Sequence, residues 1–311
     1  MLKLKKDIKS SSEVNKGTLG MRKHDALTAY LMLAPGFILI TIFVIVPFFY
    51  SIAVSFTDWS FYGTSKFVGF KNYRVILTNK LFRTSLTVAI KYVLIIVPTL
   101  FIVSFLFSHV LKGMKGKAAS FAKTSVYIPT VISGILAAAI FTFIYDYQGG
   151  ILNSILANFG IPKQAFLKKP LISSIALSIP IVWLGFGYNT LVMLAGLLDI
   201  PQVYYEAADV EGANAFEKLI YITIPSMKNI FILITITLVT GALTEFNVPY
   251  MMTGGGPTNS NLTPIVYIFN NFKSNPTMGP TVAASLLMVI VLSLISGLIF
   301  TIIKSEKSMD A

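Results

Sequence analysis

The sequence contains no cysteine and only two histidines, His24 and His109, among its 311 residues. Without cysteine, the chain forms no disulfide and has no thiolate for catalysis or metal binding. Two histidines are too few for a histidine-rich site, so we predict that the chain holds no metal. Charge is also scarce, because Asp, Glu, Lys and Arg make up only 12% of the residues. That fraction is about half of what an ordinary soluble domain carries.

Hydrophobic residues account for 55% of the chain, and the mean hydropathy is +0.75. A soluble globule of this size needs a largely solvated surface, so this composition excludes both a water-soluble enzyme and a disordered chain. The net charge of +12 is typical of some nucleic-acid-binding proteins. In so apolar a chain, the charge instead indicates basic loops beside anionic membrane lipid. We therefore predict an integral membrane protein with no nucleic-acid partner.

Six apolar stretches reach the roughly 20 residues that a transmembrane helix requires. They are residues 28–55, 85–110, 125–145, 171–198, 230–250 and 280–303. Backbone groups in lipid must pair within their own segment, so we predict an all-α protein with six transmembrane helices. These runs are too long to be strands of an outer-membrane barrel. The first span is followed by an outer loop (56–84) and a core of five spans (85–303). A basic cytoplasmic segment (1–27) precedes the first span, and a cytoplasmic tail (304–311) follows the last.

The distribution of Lys and Arg predicts the orientation of the chain in the membrane. If the N-terminus is cytoplasmic, the inner segments carry 15 of these residues and the outer loops carry 9. The strongest contribution is the run Lys112, Lys115, Lys117 and Lys123, which contains no acid. Because positive charge is enriched on the inner side, both termini are predicted to be cytoplasmic. The first span is interpreted as an uncleaved anchor, since its apolar run is about twice a signal-peptide core.

The predicted inner loop between spans four and five, residues 199–228, is unusually acidic. Its acids are Asp199, Glu206, Asp209, Glu211 and Glu217. Asp199 and Gln202 have the spacing of a capping box at the start of a helix. Gly212 can take the left-handed conformation that ends a helix, and Pro225 opens the next span. We predict a helix–turn–helix on the cytoplasmic face, although composition alone is equally typical of a solvated amphipathic connector.

The same loop resembles the EAA signature of ABC-importer permeases. The residues that match are Glu206, Ala207, Ala208, Gly212, Ala213, Ile222 and Pro225. The family usually has Asp in place of Glu211 and Leu in place of Ile224, and both differences preserve charge or apolarity. In that family this loop is a coupling helix that docks into an ATPase subunit. The resemblance therefore implies the type-I ABC importer permease fold with a cytoplasmic coupling helix, and it assigns the matching residues to ATPase coupling.

Other segments resemble the sugar-type branch of these permeases, in particular its larger maltose permease subunit. They are residues 33–36, 55–59, 67–73 and the sequence Thr-Gly-Gly-Gly-Pro at 253–257. The last is interpreted as a flexible outer connector. Residues 263–272 after it are predicted to form a short amphipathic helix on the outer surface, where a binding protein can rest. The resemblance implies a permease subunit of a binding-protein-dependent sugar importer of the oligosaccharide type in a bacterial cell membrane. A phosphorylated polyol or another non-sugar solute is the alternative substrate.

The sequence contains no Gly-x4-Gly-Lys-Ser/Thr motif, so the chain is not expected to bind ATP through a P-loop. We predict that it is a transport subunit and not an enzyme, with ATP and Mg²⁺ held by a partner. The resemblance implies four partners: a second homologous permease, two ATPase subunits and an extracellular solute-binding protein. An ion-coupled secondary transporter is an alternative, but it requires acids near the membrane midplane. A membrane enzyme requires a nucleophile–base pair or a metal cluster, which the spans lack.

Sugars are bound by aromatic faces and hydrogen-bonding side chains in a mostly apolar wall. Span four offers Trp183 and Tyr188, and span five offers Glu245 and Asn247. Aromatic residues near span ends also form interfacial belts, which is the alternative interpretation. Lys91 and Glu245 are the two charges within the predicted spans, at similar depths. In one interpretation, Lys91 reaches the headgroups and Glu245 is protonated or faces a watery cavity. In the other, the two pair across the bundle, or Glu245 faces the sugar path and Lys91 holds it in place.

Overall fold

A computed structural model describes residues 26–60 and 65–304, which fold almost entirely into helices. Helices α1 to α7 are Ala26–Ser55, Lys71–Thr78, Lys80–Gly113, Gly116–Val131, Gly134–Ile144, Ile151–Asn158 and Pro170–Asp199. Helices α8 to α13 are Gln202–Val210, Ala215–Lys218, Lys228–Leu243, Asn247–Thr253, Pro264–Ser274 and Gly279–Lys304. The predicted basic segment and tail lie outside the described residues, except residues 26, 27 and 304, which belong to α1 and α13.

Five helical stretches are long and apolar enough to cross a membrane. They are α1, α3, α7, α10 together with α11, and α13, and they coincide with five of the six predicted spans. The predicted span 125–145 is different, because α4 and α5 in this region meet at an angle of 94°. By length and composition, the described residues therefore provide five candidate spans, or six if the bent pair is one span.

The bend between α4 and α5 has a local cause. Ile132 leaves the helical conformation, with a ψ of 135°. Ser133 then caps a new helix, its side chain accepting a hydrogen bond from the backbone N–H of Leu136 at 3.2 Å. Gly134 lies against the side chain of Asn247, so that a Cβ at Gly134 would be 3.0 Å from the Asn247 Cβ. The apolar composition continues through this break, and hydropathy alone therefore predicts one unbroken span.

Helices α3 and α7 form the centre of the bundle. Large buried side chains on these two helices include Tyr92, Leu100, Leu177, Met193 and Leu197. Helices α4, α5 and α10 pack around this pair, whereas α1 lies at the periphery against α13 and is almost entirely exposed. A bundle arranged in this way places the loops at its two ends, where the predicted functional segments lie.

Two prolines within the helices follow widened helical turns. A π-helical turn at Thr41–Ile45 precedes Pro47 in α1. A second one at Leu219–Thr223 continues α9 and leads, through the short helix Ile224–Ser226, into α10. Proline has no N–H and its ring clashes with the carbonyl one turn earlier, and a π-turn is one way in which a helix adjusts locally.

The end of the bundle opposite residues 199–228 contains two short helices, α2 and α12. Helix α2 was not expected from the sequence, and Asn72 holds it by donating to the carbonyl oxygens of Ser55 and Thr57 at 2.8 and 2.7 Å. Helix α12 confirms the short helix predicted at residues 263–272. It does not lie loosely on the surface, because Tyr267 is buried with its ring centroid 5.5 Å from that of Phe82.

Candidate coupling segment and substrate path

The coupling segment, residues 199–228, begins at the end of α7. Asp199 is the last residue of α7, and Pro201 occupies the N-cap position of α8 without a side-chain hydrogen bond. The prediction that Asp199 and Gln202 form a capping box is therefore wrong. The helical geometry of α7 extends one residue beyond the apolar run, which leaves Asp199 inside the preceding helix instead of at the start of the next one.

Gly212 ends α8 in the way that the sequence predicts. Its φ is +80°, in the left-handed region that favours glycine. The N–H of Ala213 donates to the carbonyl of Ala208 at 2.9 Å, and the N–H of Gly212 donates to the carbonyl of Asp209 at 3.1 Å. These two bonds form a Schellman motif, which satisfies carbonyls at the helix end and reverses the chain. Ala208 and Ala213 thus take part in the turn through their backbones.

The second arm of the turn has its own cap. The Asn214 side chain accepts hydrogen bonds from the N–H groups of Phe216 and Glu217, each at 3.0 Å. The Glu217 carboxylate accepts from the Asn214 N–H at 2.7 Å, which completes a capping box at the start of α9. An ion pair between Asp209 on α8 and Lys218 on α9 joins the two arms. Hydrogen bonds therefore fix the end of α8 and the start of α9, and the ion pair connects the two helices.

The coupling segment exposes most of its side chains. Of the residues that match the family signature, Glu206, Ala207, Gly212 and Pro225 are exposed, and Ala208 and Ala213 are half-buried. Two apolar side chains, the apolar tip, flank the turn: Val210 is 90% exposed and Phe216 is 69% exposed. Apolar side chains on an exposed turn offer a surface that a partner protein can cover. The tip was not predicted from the sequence, although an apolar Val next to Glu211 in an acidic connector is a signal for it.

Glu245 lies at a break in the span formed by α10 and α11. Residues 244–246 are not helical, and Glu245 is half-buried. Its carboxylate accepts a hydrogen bond from the N–H of Val248 at 3.2 Å, and its carbonyl accepts from the hydroxyl of Thr263 at 2.7 Å. The carboxylate therefore caps the start of α11, while Thr263 pairs a carbonyl that the broken helix leaves free.

The other predicted path residues do not gather around Glu245. Asn247 is exposed and contacts Gly134 of α5. The Trp183 ring lies 5.7 Å from the Phe141 ring, and Tyr188 is 48% exposed elsewhere on α7. Trp183 also lines a groove of about 430 Å³ between α3 and α7. The polar side-chain groups that line this groove are the indole N–H of Trp183 and the hydroxyls of Thr99 and Ser178, which is few for the hydrogen bonds that a sugar requires.

Lys91 is not paired with Glu245. Its ammonium group donates to the hydroxyl of Ser174 on α7 at 2.6 Å and to the carbonyl of Ser260. Ser260 belongs to the Gly-rich loop, residues 254–261, and Asn261 at the end of this loop is completely buried. The predicted ion pair across the bundle is therefore wrong, and Lys91 does not extend toward the headgroups either, because its charge is turned inward onto neutral acceptors.

Asn261 fastens the Gly-rich loop to both central helices. It accepts from the hydroxyl groups of Tyr92 at 3.0 Å and Ser174 at 2.9 Å, and its amide donates to the hydroxyl of Ser173 at 2.9 Å. The same amide donates to the carbonyl of Gly256 within the loop. The expectation of a flexible connector at residues 253–257 is wrong, because the loop is packed and hydrogen-bonded to α3 and α7.

The chain is similar in sequence and in fold to components of known transport systems. The chain is 31% identical over 261 residues to the trehalose/maltose transport system permease protein MalF of Thermococcus litoralis, covering 83% of this chain and 88% of the relative. It is 29% identical over 284 residues to the sulfoquinovosyl glycerol transport system permease protein SmoG of Agrobacterium fabrum, covering 91% and 92%. A crystal structure of a bacterial ABC transporter involved in the import of the acidic polysaccharide alginate has the same fold. The match has a TM-score of 0.78 and 20% identity and covers 91% of this chain and 96% of that chain.

Residues 92–308 match the family described as binding-protein-dependent transport system inner membrane component. This range contains α7, the coupling segment, the Gly-rich loop and α13, so it includes the predicted coupling residues and the helix break at Glu245. The relatives are permease components and not enzymes. The chain is thus a multi-pass membrane protein that belongs to the family of binding-protein-dependent transport system inner membrane components.

Proposed function

We propose that this chain is one permease subunit of an ATP-driven carbohydrate importer that works by alternating access. Family membership supports a role in binding-protein-dependent transport. The sugar-containing substrates named for the relatives, trehalose/maltose and sulfoquinovosyl glycerol, support a carbohydrate as the solute. An oligosaccharide-type sugar is the substrate class that we favour over a phosphorylated polyol.

The coupling segment is the observation that carries this proposal. Its two arms are fixed by the Schellman motif at Gly212, by the capping box at Asn214 and by the Asp209–Lys218 ion pair. A turn held in this way can transmit a displacement from an ATPase subunit to the helix bundle. The apolar tip gives that subunit a surface to bind. The ATPase-coupling residues are Glu206, Ala207, Ala208, Gly212, Ala213 and Pro225. Ala208, Gly212 and Ala213 form the turn, Pro225 lies at the entrance to span five, and the tip beside the turn makes the contact.

The proposed assembly contains this chain, a second homologous permease, two ATPase subunits and an extracellular solute-binding protein. ATP and Mg²⁺ are bound by the ATPase subunits. The excess of Lys and Arg in the segments on the coupling side supports a cytoplasmic position for both termini and for the coupling segment. The membrane is a bacterial plasma membrane. The Gly-rich loop and α12 then face outward, where the solute-binding protein delivers its ligand.

Within the bundle, Glu245 and Asn247 are the residues that we assign to the substrate path. They lie at the break between α10 and α11, and irregular backbone at membrane depth is tolerated where it is buried in protein or lines a cavity. Trp183 and Tyr188 remain weaker candidates, because Trp183 opens onto an apolar groove and Tyr188 lies on another part of α7. Uptake measurements with Glu245→Gln and Asn247→Ala test this assignment.

Two glycines allow a matched test of the coupling segment. Gly160 ends α6 with a φ of +69° and the same pair of Schellman hydrogen bonds as Gly212, and a Cβ added at either glycine would have no other residue's atoms within 4 Å. Valine imposes comparable backbone strain at both sites. In the complete transporter, reconstituted in proteoliposomes with ATP inside and binding protein outside, Gly212→Val should abolish uptake. Gly160→Val should leave most of it.

The solute is identified in the same proteoliposomes with a panel of labelled sugars and phosphorylated polyols. Uptake that requires ATP, persists with ionophores and includes a sugar supports the proposal. Uptake that ionophores abolish without any need for ATP would establish an ion-coupled secondary transporter instead. Transport restricted to polyol phosphates would overturn the assignment to sugars, and equal damage by the two valine variants would overturn the role of the turn.

A further inference from the structure

Helix α8 of the coupling segment makes little contact with the rest of the chain. None of its side chains is buried, and seven of its nine residues are exposed. The two half-buried residues are Tyr205 and Ala208, which lie three positions apart and therefore on the same face of the helix. Tyr205 is thus the one large side chain with which α8 touches the bundle.

The hydroxyl group of Tyr205 connects α8 to the segment that leads into α10. It lies 2.9 Å from the hydroxyl of Thr223, which is buried. The Thr223 hydroxyl also lies 3.3 Å from the carbonyl oxygen of Lys218, and either hydroxyl can be the donor in the bond between Tyr205 and Thr223. Thr223 belongs to the π-helical turn two residues before Pro225, and the bond therefore ends at the entrance to span five.

The ring of Tyr205 connects α8 to the central helix α3. The ammonium group of Lys112, in the last turn of α3, lies 4.6 Å from the centre of the ring, a distance typical of a cation–π contact. Lys112 forms no ion pair with an acid in the described part of the chain. The ring also packs at the edge of the hydrophobic cluster of Leu100, Leu197 and Met227. One side chain thus links the coupling segment to α3, α7 and α10.

We propose that Tyr205 is a positioning residue that transmits the displacement of the coupling segment to α3 through Lys112 and to α10 through Thr223. This role rests on the proposed function, in which an ATPase subunit moves the segment. The apolar tip makes the contact with the ATPase, whereas Tyr205, on the half-buried face of α8, carries the motion into the bundle. The two tasks therefore belong to different side chains and can be separated by mutation.

The test compares Tyr205→Leu with Tyr204→Leu in the complete reconstituted transporter. Tyr204 is the adjacent residue of the same helix and is 53% exposed. Among the described residues, its side chain forms no hydrogen bond and no cation–π contact. The measurements are copurification of the ATPase subunits, the stimulation of ATP hydrolysis by loaded binding protein, and the number of solute molecules imported per ATP. Tyr205→Leu should retain the ATPase subunits but lower the stimulation at least about five-fold, the lower range of typical coupling effects. Tyr204→Leu should match the wild type in all three.

Variants of Lys112 separate transmission from general packing. Lys112→Met removes the cation and should lower the stimulation, whereas Lys112→Arg keeps a cation over the ring and should preserve it. In the Tyr205→Leu background, Lys112→Met should cause no further loss, because the contact is already absent. Tyr205→Phe keeps the ring and removes only the bond to Thr223, so it should give an intermediate value even if the leucine variant assembles poorly.

Three results would overturn this proposal: normal stimulation in Tyr205→Leu, loss of the ATPase subunits from that variant and from Tyr205→Phe, or additive damage in the double variant. Loss of the ATPase subunits would assign Tyr205 to docking instead of transmission. If the wild-type transporter itself shows no ATP-driven uptake, the proposed function fails. If the wild type transports normally and Tyr205→Leu does too, only the role of Tyr205 fails.

Discussion

The ammonium group of Lys91 on α3 lies 2.6 Å from the hydroxyl of Ser174 on α7, and this contact joins the two central helices of the bundle. The ammonium also donates to the carbonyl of Ser260 in the Gly-rich loop. A charge within a membrane span is costly unless it has partners. Here the partners are neutral oxygens from two other elements, so Lys91 fastens a loop instead of balancing a carboxylate.

The first prediction concerns the exchange of the two charges in the spans. Lys91→Glu places a carboxylate against the Ser260 carbonyl, and Glu245→Lys removes the acceptor that caps α11 at Val248. Each variant should impair uptake for its own reason. Because the two side chains form no ion pair, the double variant should show no recovery of uptake over the single variants. Uptake at matched protein levels measures this, and recovery in the double variant would mean that Lys91 and Glu245 do interact.

The second prediction concerns Asn261, which is completely buried. Asn261→Leu leaves the buried Tyr92 hydroxyl without its acceptor, whereas Ser173 and Ser174 keep their bonds to the Pro170 carbonyl. An unpaired buried group costs about 1–3 kcal/mol. The thermal midpoint of the purified protein should therefore fall markedly. The control is Asn270→Leu, since Asn270 is half-buried in α12 and forms no side-chain hydrogen bond within residues 26–60 and 65–304. An equal fall in both variants would argue that the bonds of Asn261 contribute little.

The third prediction concerns the crossing of α4 and α7. A Cβ at Gly187 would lie 2.3 Å from the carbonyl oxygen of Val126 and 2.8 Å from the Cα of Tyr127, so backbone must move to admit it. Gly187→Ala should destabilise the protein by about 1–3 kcal/mol, as overpacking does. Gly241→Ala in α10 meets nothing within 4 Å and should be neutral or stabilising. Thermal denaturation followed by size-exclusion chromatography measures both, and a tolerant Gly187→Ala would contradict the close crossing.

The fourth prediction concerns the apolar tip. Val210 is 90% exposed, so Val210→Asp should leave the fold of the chain intact. If the tip binds the ATPase, burying the new carboxylate against an apolar surface should reduce copurification of the ATPase subunits at least about ten-fold. Phe159, 76% exposed at the end of α6, provides the control as Phe159→Asp. Normal ATPase recovery with Val210→Asp would show that the contact surface lies elsewhere on the segment.

Features set by local chemistry were predictable from the sequence. Five of the spans follow from apolar length alone, and the left-handed turn at Gly212 follows from the conformational freedom of glycine. The capping prediction at Asp199 was wrong because α7 continues one residue further than its apolar run and therefore includes Asp199. Sequence patterns locate helix ends less well than they locate the helices themselves.

Features set by distant contacts were not predictable. The partners of Lys91 lie 83 and 169 positions away, in elements whose arrangement no spacing reveals. Glu245 was the expected partner of Lys91 because the two residues lie at similar depths in their predicted spans. Matching depth is the long-range information that the sequence provides here. The bend after Val131 is similar, since a capping serine and the approach of Asn247 to Gly134 interrupt a segment of continuous apolarity.

The hydrogen bonds around Asn261 join three elements at one end of the bundle. They hold α3, α7 and the Gly-rich loop together, and Thr263 adds the break at Glu245 to the same fastened end. At the opposite end of the bundle, Tyr205 connects α8 to the neighbouring elements. In the proposed mechanism, a displacement of the coupling segment should therefore move α3, α7 and the Gly-rich loop together on the far side of the membrane.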